Sequence, residues 1–256
     1  MADDLTYVYV VGDLGLSADA DLVGLPGVGE GPVRAVSAGQ LAALVSSVDA
    51  ETFGEEALKE NLERLPWLEA TARAHHAVVD AASRRYPVVP LRMATIYIAD
   101  HSVHDMLERN AARFGDALDR IRGGRTEWGV KAYLTSAPSE SVPEVSEGTG
   151  PGTHYLARRR ATRDRTDDWR EAAVRAIDDL HRRLSDAAVA SRVHAPQDPR
   201  LTGRRSEMML NAAYLVEPQG TASFQRTVLE WSDRHLQLEL TGPWAPYSFA
   251  ALDDEP

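Results

Sequence analysis

The chain has no cysteine, which removes disulfides, thiolate metal sites and cysteine nucleophiles and fits a reducing, cytoplasmic setting. Lysine is nearly absent too: of 28 basic residues only Lys59 and Lys131 are not arginine. No apolar run approaches the ~18–20 residues that a membrane span needs, and no basic-then-apolar signal segment opens the sequence. Neither a membrane nor an export route is expected. The net charge of −11 argues against nucleic acid as the main partner. Aromatic residues make up only 7% of the 256 positions, yet several gather near the C-terminal end.

What is present is ordinary globular material, 43% hydrophobic and 26% charged, in a length that suits one large or two modest domains. The charge is uneven. Between Gly152 and Arg205 thirteen arginines stand against eight acids, a local +5 that leaves −16 for the remainder. Arg158, Arg159, Arg160, Arg163 and Arg165 form the densest cluster, of a kind that phosphates attract. However, Asp164, Asp167 and Asp168 follow within helical i,i+4 reach. A salt-bridged solvent face, or a docking surface for an acidic protein, accounts for them better than nucleic acid.

Alternation of Tyr and Val over residues 5–11 predicts a first strand. A glycine-rich stretch follows, then a short strand at 33–36 and helical spacing at 40–45. Residues 58–85 predict a long helix, kinked or restarted at Pro66. Extended segments then precede a helix over 100–121, stopped by Gly123-Gly124. That pair is the expected domain boundary. Beyond it, residues 128–134 predict a strand and 153–188 a long helix with Trp169, Ala173, Ile177, Leu180 and Leu184 on one stripe. Strands at 189–194 and 208–216, a helix at 223–234 and a strand at 236–240 complete the order β-α-β-β-α-β, the ferredoxin-like unit. The fold class expected is α+β in two domains. Residues 1–123 form a smaller mixed sheet with long helices, and 124–256 a ferredoxin-like domain with a mobile loop at 136–152. That loop is rich in Ser, Pro, Gly and Glu and poor in apolar residues.

Candidate chemistry is sparse. Gly27-x-Gly29-x-Gly31 suggests a phosphate cradle, but it leads through Pro32 into a strand, whereas a dinucleotide fingerprint opens a helix. A mobile surface loop is the expectation. His101 and His104 lie three apart, a spacing that suits one metal ion. Asp100 or Ser102 also makes a good helix N-cap there, so no metal site is expected. No triad or carboxylate pair stands out, and neither a catalytic residue nor a cofactor is assigned. Trp128, Trp169 and Trp231 sit in apolar stripes and read as core.

The C-terminal end is the most distinctive segment. Leu236, Leu238 and Leu240 alternate into Thr241-Gly242-Pro243, and Trp244, Pro246, Tyr247 and Phe249 follow. Two prolines suggest a tail that neither continues the ladder as an interior strand nor forms helix. Its aromatics must therefore cover something. A latch on the chain's own body is the first reading, an exposed partner patch the second.

The ending Leu240-Thr-Gly-Pro-Trp-Ala-Pro-Tyr-Ser-Phe249 resembles the closing signature of the gas vesicle accessory proteins of the F/L family. Four further landmarks come in the family's order. They are Pro90-Leu91-Arg92-Met93-Ala94-Thr95, Glu127-Trp128-Gly129-Val130-Lys131, Gly152-Thr-His-Tyr155-Leu156-Ala-Arg-Arg159, and Leu210-Asn211-Ala-Ala-Tyr214-Leu215-Val216. One departure is Met93-Ala94, where the family usually has Phe-Gly. The resemblance implies a two-domain, non-enzymatic accessory protein of gas vesicle assembly, located at the gas vesicle or in the cytoplasm. It would bind the small hydrophobic shell subunit or other accessory proteins. Arg158, Arg159, Arg163, Trp244, Tyr247 and Phe249 are the candidate partner-surface residues. The residues alone leave open a second class, a ferredoxin-like small-molecule-binding protein or an enzyme of unknown substrate, because fold does not fix function.

Overall fold

A computed structural model describes residues 4–136, 151–197, 204 and 206–250, with backbone alone at 151–158 and 161. The chain divides into two compact units. One is Met1–Glu127 together with Pro243–Pro256, and the other is Trp128–Gly242. The stretch expected to be a mobile loop lies, from 137 to 150, outside the described residues.

The first unit is built on an antiparallel sheet of β1 (Asp4–Asp13), β2 (Arg34–Ala38), β3 (Leu41–Asp49), β4 (Val88–Pro90) and β5 (Ile96–Tyr97), in the order β2-β3-β1-β4 with β5 also paired to β1. β1 is buried without a break from Thr6 to Gly12, so both of its faces are covered. A register shift between Val8 and Val10, a bulge of the kind that re-aims side chains, puts Tyr7, Tyr9 and Val10 in one cluster. Val78, Val79 and Ala82 of α4 (Leu65–Ser83) pack there with Leu16 of α1 (Gly15–Ala18) and Phe53 of α2 (Ala50–Phe53). α5 (Asp100–Arg109) and α6 (Ala111–Ile121) pack on the sheet separately from that cluster.

Residues 40–45 are not helical. They open β3, which lies between β2 and β1 and is buried on both faces from Leu41 to Ser46. A short, unbroken apolar run has no period that tells an interior strand from a helix. The long helix at 58–85 is two helices, α3 (Glu55–Leu62) and α4, with Pro66 in the first turn of the second, where its missing N–H costs nothing. The helix at 100–121 breaks at Asn110, whose side-chain amide donates to the Met106 carbonyl at 2.8 Å.

The glycine stretch is not a mobile surface loop. Val28 is buried, its N–H donates to the Tyr9 hydroxyl at 2.7 Å, and Gly27 closes back on the Gly31 carbonyl at 2.9 Å. A Cβ on Gly27 would lie 2.5 Å from the Tyr9 oxygen. Glycine is required here by close approach, not by flexibility.

Ala94, where the resembled family has glycine, adopts φ +64°. A non-glycine residue in this left-handed region costs about 1–2 kcal/mol. The Ala94→Gly variant should therefore be more stable by about 0.5–1 kcal/mol, after the entropy that glycine adds to the unfolded chain. Chemical denaturation of both proteins measures this, and a destabilised variant would refute it.

The second unit holds β6 (Thr126–Leu134) from Trp128 on, α7 (Pro151–Asp186), β7 (Ala190–Val193), β8 (Met208–Val216), α8 (Thr221–Leu229) and β9 (Leu236–Trp244) as far as Gly242, with sheet order β7-β8-β6-β9. Trp128, Val130 and Ala132 of β6 and alternate residues of β8 from Leu210 to Val216 form one apolar face. Ala173, Ile177, Leu180 and Leu184 of α7 and Phe224 and Val228 of α8 cover it. Trp128 is core as expected, whereas Trp169 and Trp231 are only partly buried. Trp169 donates its indole N–H to the Thr135 carbonyl at 3.0 Å. Gly129 faces Thr241 so closely that a Cβ would lie 2.6 Å from its Oγ1. α8 ends earlier than expected, ahead of a turn in which the His235 N–H donates to the Asp233 carboxylate at 2.8 Å.

The tail differs from expectation in two respects. β9 continues through Pro243 to Trp244, which an edge strand permits because proline's missing donor faces away from any ladder. After Pro246, residues Tyr247–Ala250 make one helical turn, α9, in which the Ala250 N–H donates to the Pro246 carbonyl at 2.9 Å.

Candidate functional site

Three features of the first unit and one helix of the second are candidates for function. The most buried is a polar group inside the first core. The Ala94 N–H donates to the Tyr7 hydroxyl at 2.9 Å, and the same hydroxyl shares a hydrogen bond with Nδ1 of His75, 3.1 Å away. Nε2 of His75 is buried and, among the described residues, lacks hydrogen-bond geometry to any neighbour. Burial, and the adjacent His76, push the His75 imidazole down to about 4, against a weaker opposing pull from the Leu91 carbonyl. Burial likewise raises the Tyr7 and Tyr9 phenols. A neutral imidazole among un-ionised phenols is an internal strut rather than an acid–base pair poised near neutrality.

The second feature is the seat of the tail. Ala245 and Ala250 are buried, and Tyr247 packs against the cluster that holds Tyr7 and Phe53. Glu127, 9% exposed, accepts from the Ser248 N–H and from its hydroxyl, both at 2.7 Å. Its carboxylate thus satisfies a donor at the start of α9 that the short helix cannot satisfy itself. Burial, then the Glu127 charge, lifts the Tyr247 phenol to about 12. Trp244 is 43% exposed and sets its ring edge-on to His76 at 5.7 Å. With Arg84, Tyr86, Arg125 and Pro246 it lines a groove of about 330 Å³.

The third feature is a wider, mostly apolar groove of about 710 Å³ beside β5, lined by Leu5, Phe53, Leu58, Ile96 and Ile98 with Asp4 and Glu55. Ile98 is 71% exposed. β5 pairs with β1 on one side only among the described strands.

The residues picked out from sequence fall in both units, the arginines in the second and the tail aromatics in the first. Arg159 and Arg163 are exposed on α7, and Arg158 lies in the same helix with its side chain outside the described residues. Trp244 is half-exposed, whereas Tyr247 and Phe249 are partly buried. Sequence reasoning passed over Glu127 and Ser248, although both stand within the quoted landmarks. Those landmarks meet in space: Glu127 of the second holds Ser248 of the tail, and the Leu91 N–H of the first donates to the Tyr9 carbonyl of the opening strand at 2.9 Å. These landmark residues are braces of the fold.

Two antiparallel sheets with helices packed on them define an α+β protein of mixed architecture. Residues 5–251 match the sequence model of the gas vesicle synthesis protein GvpL/GvpF family, and the chain belongs to that family. It is 41% identical to gas vesicle protein L of Streptomyces sp. (strain CB03234), with 99% of this chain and 95% of that one aligned. It is 26% identical to gas vesicle protein L1 of Halobacterium salinarum, over 95% and 89% of the two chains. The crystal structure of the gas vesicle protein GvpF from Anabaena sp. PCC7120 superposes with a TM-score of 0.69 at 17% identity, covering 99% of this chain and 98% of that one. GvpF from Microcystis aeruginosa superposes with a TM-score of 0.63 at 17% identity, covering 97% and 99%. These two likenesses speak to the fold. Among the described residues no helix is long and apolar enough to cross a membrane. Family membership places the chain among gas vesicle accessory proteins.

Proposed function

We propose that this chain is a non-enzymatic assembly factor that holds the small hydrophobic shell subunit, or another accessory protein, while the gas vesicle nucleates and grows. The observation that carries the reading is the open apolar groove beside β5, with Ile98 exposed at its rim, in a member of a gas vesicle family. Apolar subunits aggregate in water unless their surface is covered. A groove of this character offers cover, and buried apolar contacts supply most of the affinity in typical interfaces. We read the second unit as a ferredoxin-like domain that presents the arginine-rich α7, and the two compact units as two domains. Arg158, Arg159 and Arg163 would steer an acidic partner. Within the tail, Tyr247 and Phe249 act as the latch, and Trp244 is the residue placed to touch a partner. The protein works at the vesicle in the cytoplasm.

The test is capture of purified shell subunit by the immobilised protein. Ile98→Asp should weaken capture by roughly 2 kcal/mol, and Trp244→Ala by a similar amount if the tail takes part. Arg159→Glu with Arg163→Glu should slow association most at low salt. Melting temperatures of the Ile98 and arginine variants should stay close to that of the parent, since those side chains are largely in solvent. Capture unaffected by any of these changes would defeat the proposed surfaces.

A further inference from the structure

We propose that the exposed face of α5 is a binding site for a divalent transition-metal ion, held by His104, Asp105 and Glu108 with His101 one turn before. The ligand atoms of His104, Asp105 and Glu108 all lie within 4.8 Å of one another, and His104 Nδ1 is 3.8 Å from the Asp105 carboxylate. Donors around a tetrahedral ion sit about 2.0–2.2 Å from the metal, which sets them roughly 3.3 Å apart. Closing the present spacing takes side-chain rotations of about 1 Å, which an exposed helix allows.

The helix explains why these side chains gather. At 3.6 residues per turn, positions 101, 104, 105 and 108 fall on one stripe, and that stripe carries two imidazoles and two carboxylates. The opposite stripe, Val103, Met106 and Leu107, is buried against the sheet. At its start α5 is pinned by Asp100, which takes Arg34 at 2.5 Å and the Thr6 hydroxyl at 2.9 Å. The backbone beneath the site is therefore fixed by packing.

A solvated helix face usually matches its acids with lysine or arginine at i,i+4. Here, among the described residues, neither Asp105 nor Glu108 is ion-paired to either. The charge is left for a cation. Mixed imidazole and carboxylate donors select zinc, nickel or cobalt over calcium and magnesium, which take oxygen alone. Water fills the remaining positions. The sequence alone favours a helix N-cap role for Asp100 or Ser102 over a metal site, but in the structure Asp100 is held by Arg34 and Thr6, and Ala99 is the cap.

The experiment is calorimetric titration of the full chain with Zn²⁺ at neutral pH, repeated with Co²⁺ while following its visible absorption. The parent should bind one ion saturably. His104→Ala with Glu108→Gln should weaken that binding at least about tenfold, with an unchanged circular dichroism spectrum. His194→Ala, at a histidine outside α5, should leave it unaltered. Absence of saturable binding by the parent, or equal binding by the double variant, overturns the assignment. So does an equal loss in His194→Ala. The result is independent of shell-subunit capture, so the two proposals stand or fall separately.

Discussion

Replacing His75 by glutamine should flatten the acid side of the protein's stability profile. His75 is 4% exposed, and its folded value of about 4 lies below the ordinary 6.5 because burial disfavours the imidazolium. The unfolded chain therefore takes up this proton at a higher pH than the folded chain. The corresponding stability is fully present above about 6.5 and is lost progressively as pH falls toward 4. Over that window the loss amounts to about 3 kcal/mol, of which roughly 2 kcal/mol is gone by pH 5. Glutamine has no proton to gain, yet its side-chain amide can still hydrogen-bond with the Tyr7 hydroxyl. The parent and His75→Gln should thus differ in the slope of unfolding free energy between pH 8 and pH 5, whatever their difference at pH 8. Denaturant melts at the two pH values decide this, and parallel profiles would show that His75 is not the group that titrates.

Glu127→Ala should release the tail. It removes a buried carboxylate that accepts two hydrogen bonds from Ser248 and leaves the Ser248 N–H at the start of α9 without that acceptor. Charge-assisted bonds of this kind contribute about 1.5–3 kcal/mol each before overlap, so a loss of about 3 kcal/mol is expected. Trypsin-resistant core is a poor reporter of a local release, whereas hydrogen exchange at Tyr247–Ala250 reads it directly. A double-mutant cycle with Ser248→Ala separates the contact from general damage. A coupling near zero would mean that Glu127 serves the fold by other contacts and does not hold the tail.

Much of the second unit could be read from sequence because its elements obey simple periods. The α7 stripe Ala173, Ile177, Leu180 and Leu184 is core as its spacing predicts, and β8 runs from Met208 to Val216 as expected. One face of α7 meets the core and the other meets water, so burial leaves its signature in the letters, whereas β8, buried on both faces from Ala212 to Val216, shows as a short apolar run. The first unit was harder. β1 shows in its Tyr/Val alternation, but β3 is buried on both faces from Leu41 to Ser46, and a strand with no polar side has no period of two to show. The glycine stretch carries no distinguishing signal, because close approach of Gly27 to Tyr9 and the freedom of a loop use the same residue.

The sequence by itself determined the family, through landmarks spread from the opening strand to the tail, the α+β class, and the uneven charge with its arginine helix. Those properties depend on residue type and order along the chain. Only the tertiary structure decided which landmark residues are braces. Glu127 and Ser248 are 121 positions apart, and Tyr7 and Ala94 are 87 apart, so neither pairing has a local signal. It also decided that Trp244 stays half in solvent while Tyr247 reaches the core. Both belong to one aromatic tail, and proline fixes the backbone of such a tail without fixing the surface beneath it. What a side chain touches across the fold depends on how layers stack, which periodicity along one segment does not encode.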